Sequence, residues 1–130
     1  MPRCKVLVVD DEEDILTLIT ARLRQAGYEV VTAPCGIEGL TMAEKERPDL
    51  ILVDISMPEM NGFQMVQLLR FEGAFKETPI VVITASRQPD EAAWREQVGV
   101  THFILKPFEP QELLGKVEEA LRSRRSQKVV

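Results

Sequence analysis

Five short runs rich in Val, Ile and Leu set the strongest limit on what this chain can fold into: Cys4–Val9, Tyr28–Ala33, Leu50–Val53, Thr78–Ile83 and His102–Leu105. A strand with one wet face alternates apolar and polar residues. Most of these runs do not, so both faces of the sheet they form must be covered, as in parallel sheets flanked by helices. The segments between them carry helical spacing. Ile15, Leu18, Ile19 and Leu23 predict a first helix after Asp14 that stops at Gly27, and Ile37, Leu40 and Ala43 predict a second over Gly36–Lys45, ended by Pro48. Asn61 caps a third with Phe63, Met65, Val66 and Leu69, closed near Gly73. Pro89 opens a fourth running through Val98 with Gly99 as its stop, and Pro110 a fifth with Leu113, Leu114, Val117 and Leu121 inward. Strand and helix alternate five times, which predicts an α/β fold of five βα units, doubly wound around a parallel sheet.

Four of these runs end in chemistry. Asp10-Asp11 closes the first and Asp54 the third, while Thr84 follows the fourth and Lys106-Pro107 the fifth. If the first and third strands lie side by side and parallel, their carboxylates meet in the crevice at the C-terminal edge, where open α/β sheets bind ligands. Such a cluster calls for a cation. Mg²⁺ suits it, being a hard ion usually held by one or two carboxylates together with water and phosphate oxygens. Carboxylates, a hydroxyl and an ammonium delivered by strand ends make a site for handling phosphoryl groups. Taken singly, an Asp at a strand end is a helix cap and a Lys before Pro a solvated loop residue; it is their joint convergence that carries the functional reading.

The rest of the sequence narrows the class. At 130 residues the chain is of single-domain size, long enough to bury roughly two thirds of its unfolded surface. A net charge of −5 argues against direct binding of nucleic acid, which needs clustered Lys and Arg. No apolar run approaches the ~20 residues of a membrane span, and the N-terminus lacks a signal-peptide core, so a cytoplasmic protein without membrane insertion is expected. Cys4 starts the first strand and Cys35 follows the second. In neighbouring parallel strands these are opposite ends, most of a strand's ~17–20 Å apart, against the about 7 Å a disulfide tolerates. Residues 1–122 are expected to form the domain, and 123–130 a basic, flexible tail.

Four segments in fixed order, VLVVDDEEDI, DLILVDISMPEMNGF, PIVVITA and FILKPF, give the chain a close resemblance to the CheY-like receiver domains of bacterial two-component response regulators. The resemblance covers nearly the whole chain and implies the flavodoxin-like strand order 2-1-3-4-5. It implies that Asp54 is the phosphoacceptor, taking a phosphoryl group from the phosphohistidine of a sensor histidine kinase or a histidine phosphotransfer protein. Asp11 and Asp54 would bind Mg²⁺ directly, with Mn²⁺ able to substitute, Asp10 acting through a coordinated water and the Ser56 carbonyl completing the protein ligands. Lys106 would stabilise charge on the transferring oxygens, and Thr84 and the Ala85 N–H would contact the phosphoryl group. Pro58 and Gly62 would shape the turn after Asp54, and a cis Lys106-Pro107 bond would aim Lys106. Thr84 and Phe103 are the expected switch pair, acting on the surface of the fourth helix, fifth strand and fifth helix, which Trp94 would border. Ser56 and Ser86 occupy positions that tune the lifetime of the phosphate. Glu12 and Glu13 read as a solvated first helical turn and His102 as a partly exposed strand residue.

Such a protein is not a multiple-turnover enzyme: it catalyses its own phosphorylation and a slow loss of the phosphate. Its downstream target or output domain is not named by the sequence, and a stand-alone receiver, a piece of a longer regulator and a phosphorylation-dependent homodimer all fit. Two other classes share features. Haloacid-dehalogenase phosphatases also form a Mg²⁺-dependent aspartyl phosphate, but place a second Asp where this chain has Ser56. A flavodoxin-like binding module would need a first loop that cradles phosphate, whereas Asp10-Asp11-Glu12-Glu13 would repel it.

Overall fold

The computed structural model describes residues 3–55, 62–71, 73–85 and 91–128. Five parallel strands, β1 (Lys5–Val9), β2 (Glu29–Ala33), β3 (Leu50–Asp54), β4 (Ile80–Thr84) and β5 (His102–Leu105), form one sheet in the order β2-β1-β3-β4-β5. The helices are α1 (Glu13–Gln25), α2 (Gly36–Glu46), α3 (Gly62–Phe71), α4 (Glu91–Val98) and α5 (Pro110–Lys128), with a single 3-10 turn at Gly73–Phe75. The expected fold class and strand order are therefore the ones observed.

Successive side chains of a strand point to opposite faces, and the two cores follow that rule. Leu7, Val9, Ile51, Val53 and Val82 pack with Ala43, Met65, Val66, Leu69 and Trp94 from α2, α3 and α4. Val6, Val8, Leu50, Leu52, Val81 and Ile83 pack on the other side with Ile19, Leu23, Leu113, Val117 and Ala120 from α1 and α5. Every residue of β3 and β4 is buried, which explains why their sequences show no alternation.

Three expectations need correction. Leu18 is 41% exposed and Ile37 51% exposed. At 3.6 residues per turn, Leu18 lies about 100° around α1 from Ile19, off the buried stripe. The inward residues of α2 are small ones, Gly36, Gly39 and Ala43, because this helix sits close to the sheet: a Cβ on Gly39 would lie 3.0 Å from Val9 Cγ2 and 3.1 Å from Met65 Cε. Trp94 does not border the surface. It is buried, edge-on to Phe63 with ring centroids 4.8 Å apart and to Phe103 at 6.3 Å.

Cys4 and Cys35 are free thiols. The basic run after Leu121 continues α5 to Lys128, with no Pro or Gly to stop it and good helix formers among its residues. No helix among the described residues is long and apolar enough to cross a membrane.

Candidate active site

Register brings the acidic residues together. Val9 is paired with Val53, so the next residue on each chain, Asp10 and Asp54, emerges from adjacent strands at the same edge. Asp10 is fully buried and Asp54 nearly so, whereas Asp11 and Glu12 are exposed. Asp10 also shapes the loop: its Oδ1 accepts a hydrogen bond from the Glu12 N–H at 2.9 Å. Glu12, the residue before α1, makes no cap of its own, so Asp10 supplies the turn that leads into the helix.

Lys106 enters from the end of β5. Its backbone N–H donates to the Thr84 carbonyl at 2.8 Å, which ties the end of β5 to that of β4, and the Lys106-Pro107 peptide bond is cis, as expected. Its Nζ lies 3.0 Å from Glu12 Oε1 and 3.4 Å from both Asp10 Oδ2 and Asp54 Oδ2. The Lys106 pKa is raised: burial works to lower it, but the hydrogen bond it donates to Glu12 and the charges of Asp10 and Asp54 prevail. The Asp10 carboxyl is also pushed up, to about 6, chiefly by burial and further by the Asp54 charge, against the relief given by the Glu12 N–H and Lys106.

Carboxylate oxygens of Asp10, Asp11, Glu12 and Asp54 can be chosen all within 4.8 Å of one another. Asp10 Oδ2 is buried without a hydrogen-bond partner. The Lys106 ammonium 3.4 Å away balances part of its charge, but a buried acceptor without a hydrogen bond costs free energy, and an oxygen-only donor set of this charge fits a hard divalent cation such as Mg²⁺. The oxygen without a hydrogen bond and the acidic cluster together fit a cation site.

Gly62 is close-packed on the acceptor strand. A Cβ there would stand 2.5 Å from the Asp54 carbonyl oxygen and 3.0 Å from Ile55 Cα, so only glycine fits, and its N–H donates to the Ile55 carbonyl at 3.2 Å. Thr84 is buried at the end of β4, Ala85 is exposed beside it, and Phe103 is half-buried in β5. Ser56, Pro58, Asn61, Ser86 and Pro89 lie outside the described residues.

Two residues were not legible as part of this arrangement. Glu12, read as a solvated helical turn, makes the shortest contact to Lys106. Arg70 donates to the backbone carbonyls of Val98, Phe75 and Thr78 at 2.7–2.8 Å. It thereby joins the ends of α3 and α4 and the start of β4 away from the acidic cluster.

The response regulator receiver domain family matches residues 6–118. Among curated proteins, the alkaline phosphatase synthesis transcriptional regulatory protein PhoP of Bacillus subtilis is 38% identical over 118 residues, 91% of this chain and 48% of that protein. This chain spans about half the length of the curated relatives it matches. Among solved structures, the chemotaxis protein CheY4 of Vibrio cholerae superposes with a TM-score of 0.86 at 39% identity, covering 92% of this chain and 99% of that one. The receiver domain of the sensor histidine kinase PA1611 of Pseudomonas aeruginosa, with a magnesium ion coordinated in its active-site cleft, does so with 0.83 at 28% identity, covering 93% and 99%. Sheet order, acidic crevice and sequence similarity thus converge, and the chain belongs to the response regulator receiver domain family of two-component signalling.

Proposed function

We propose that this chain accepts a phosphoryl group on Asp54 from a phosphohistidine donor and uses it to switch a partner-binding surface. The observation that carries the reading is the position of Lys106 Nζ, 3.4 Å from both the buried Asp54 Oδ2 and the buried Asp10 Oδ2. An Asp54 oxygen attacks phosphorus, the P–N bond to the donor histidine breaks, and the imidazole departs with its electron pair. Such transfers rest on positioning and electrostatics rather than on a protein base. Asp11 and Asp54 would hold Mg²⁺ directly, Asp10 through water, with the Ser56 carbonyl as a further ligand. When bound, the cation offsets the repulsion between carboxylate and phosphoryl oxygens.

Lys106 stabilises charge on those oxygens, and the Thr84 hydroxyl and Ala85 N–H contact the product. Thr84 then moves toward the phosphate and Phe103 rotates inward, altering the outer face of α4, β5 and α5. Pro58 and Gly62 keep the turn after Asp54 in place, while Ser56 and Ser86 set the pace of hydrolysis. The donor is a sensor histidine kinase or histidine phosphotransfer protein, and the target is a partner protein or an output domain. Incubating the chain with an autophosphorylated histidine kinase and Mg²⁺ tests the proposal. Label should move to the wild type and not to Asp54→Ala; equal labelling of both would overturn it.

A further inference from the structure

Glu12 is the closest acidic partner of Lys106, nearer at 3.0 Å than Asp10 or Asp54 at 3.4 Å. Asp10 Oδ1 holds the Glu12 backbone N–H beside the crevice, and from there the Glu12 carboxylate reaches Lys106. The three carboxylates differ in what a cation would do to them. Asp10 and Asp54 are buried in the cluster and would have their charge offset by a divalent ion held there. Glu12 stands at the mouth with a side chain 58% exposed. With Asp10, Asp11 and Asp54 engaged by an ion, Glu12 would be the carboxylate of the cluster left to compete for the Lys106 ammonium.

We infer that Glu12 is a latch on Lys106: a positioning residue that holds the ammonium at the mouth of the site and slows phosphoryl transfer until the contact breaks. The inference rests on the proposed phosphorylation of Asp54. Transfer needs Lys106 on the incoming phosphoryl oxygens, so every encounter must first displace the Glu12 carboxylate. Exposed ion pairs are weak, which keeps the effect small and makes the latch a tuner rather than a block. Glu13 supplies a control, since it is the next acidic residue, is exposed, and lies outside the acidic cluster.

The test measures phosphorylation by acetyl phosphate at saturating Mg²⁺ in wild type, Glu12→Gln and Glu13→Gln, each with and without Lys106→Met, alongside Mg²⁺ affinity by titration. Glu12→Gln should raise the rate constant about two- to five-fold over Glu13→Gln, and the gain should vanish in the Lys106→Met background. Mg²⁺ affinity should fall less than ten-fold in either Gln variant. A rate matched by Glu13→Gln, or a gain that survives Lys106→Met, overturns the latch. So does a Mg²⁺ affinity lowered ten-fold or more in Glu12→Gln alone, which would make Glu12 a metal ligand instead. If the wild type takes no phosphate on Asp54, it is the proposed function that fails; a phosphorylated wild type without the Glu12 effect removes the latch alone.

Discussion

Replacing Asp10 with Asn should stabilise the metal-free protein while weakening its hold on Mg²⁺. Asp10 is fully buried, and its pKa rises from 3.8 to about 6 in the fold. Between those values the folded state binds more protons than the unfolded chain, so stability falls as pH rises through that window and is flat on either side. About two units at about 1.4 kcal/mol each put the cost of ionised Asp10 at pH 7 on the order of 3 kcal/mol. Asn cannot ionise, and its carbonyl can still accept from the Glu12 N–H. Urea denaturation of both proteins in EDTA from pH 4 to 8 reads the difference directly. Burial lowers the His102 pKa, so its contribution rises with pH over the same range, but it is common to both proteins and cancels. The variant should be more stable at pH 7 and the gap should close toward pH 4. A variant no more stable than wild type at pH 7, or a gap independent of pH, would refute the assignment of strain to a buried carboxylate. In Mg²⁺ at a hundred times its Kd the gap at pH 7 should all but close, because a ligand at that concentration adds about 2.7 kcal/mol to the protein that binds it.

Glycine chemistry offers a matched pair. Gly62→Ala should destabilise by about 1–3 kcal/mol, since its Cβ would press on the Asp54 backbone, whereas Gly115→Ala, with open space around it in α5, should stabilise by about 0.5–1 kcal/mol; urea midpoints of the same sign in both would contradict the packing. Trp94 is the single tryptophan and meets the Phe103 ring edge-on, so phosphorylation should change its fluorescence. Phe103→Leu should still accept phosphate yet lose most of that change; an undiminished signal would place the coupling elsewhere.

The sheet was readable because continuous apolar runs admit few alternatives and their terminal residues, Asp10, Asp54, Thr84 and Lys106, lie where chain direction puts them. Helix faces were less so. Spacing favoured Ile37, but α2 packs through Gly36, Gly39 and Ala43, and a contact made of small residues carries no hydrophobic signal. Trp94 could be assigned to a helix but not to its aromatic neighbours, which depend on how α3, α4 and β5 meet. Arg70 looks like any cation in the last turn of a helix; its three carbonyl partners come from separate segments that only the folded chain brings together. Glu12 was hidden for a related reason. Its partner Lys106 is 94 residues away, and an acidic residue leading into a helix already has an adequate explanation in the helix dipole.

Intact mass spectrometry of the full chain after incubation with acetyl phosphate tests the role of Asp54 most directly. With Mg²⁺ present, one phosphate should add, stable in acid and lost in base as an acyl phosphate is. It should be absent in EDTA and in Asp54→Ala, and strongly slowed in Lys106→Met. The same adduct on Asp54→Ala, or one that forms equally well in EDTA, would contradict the account.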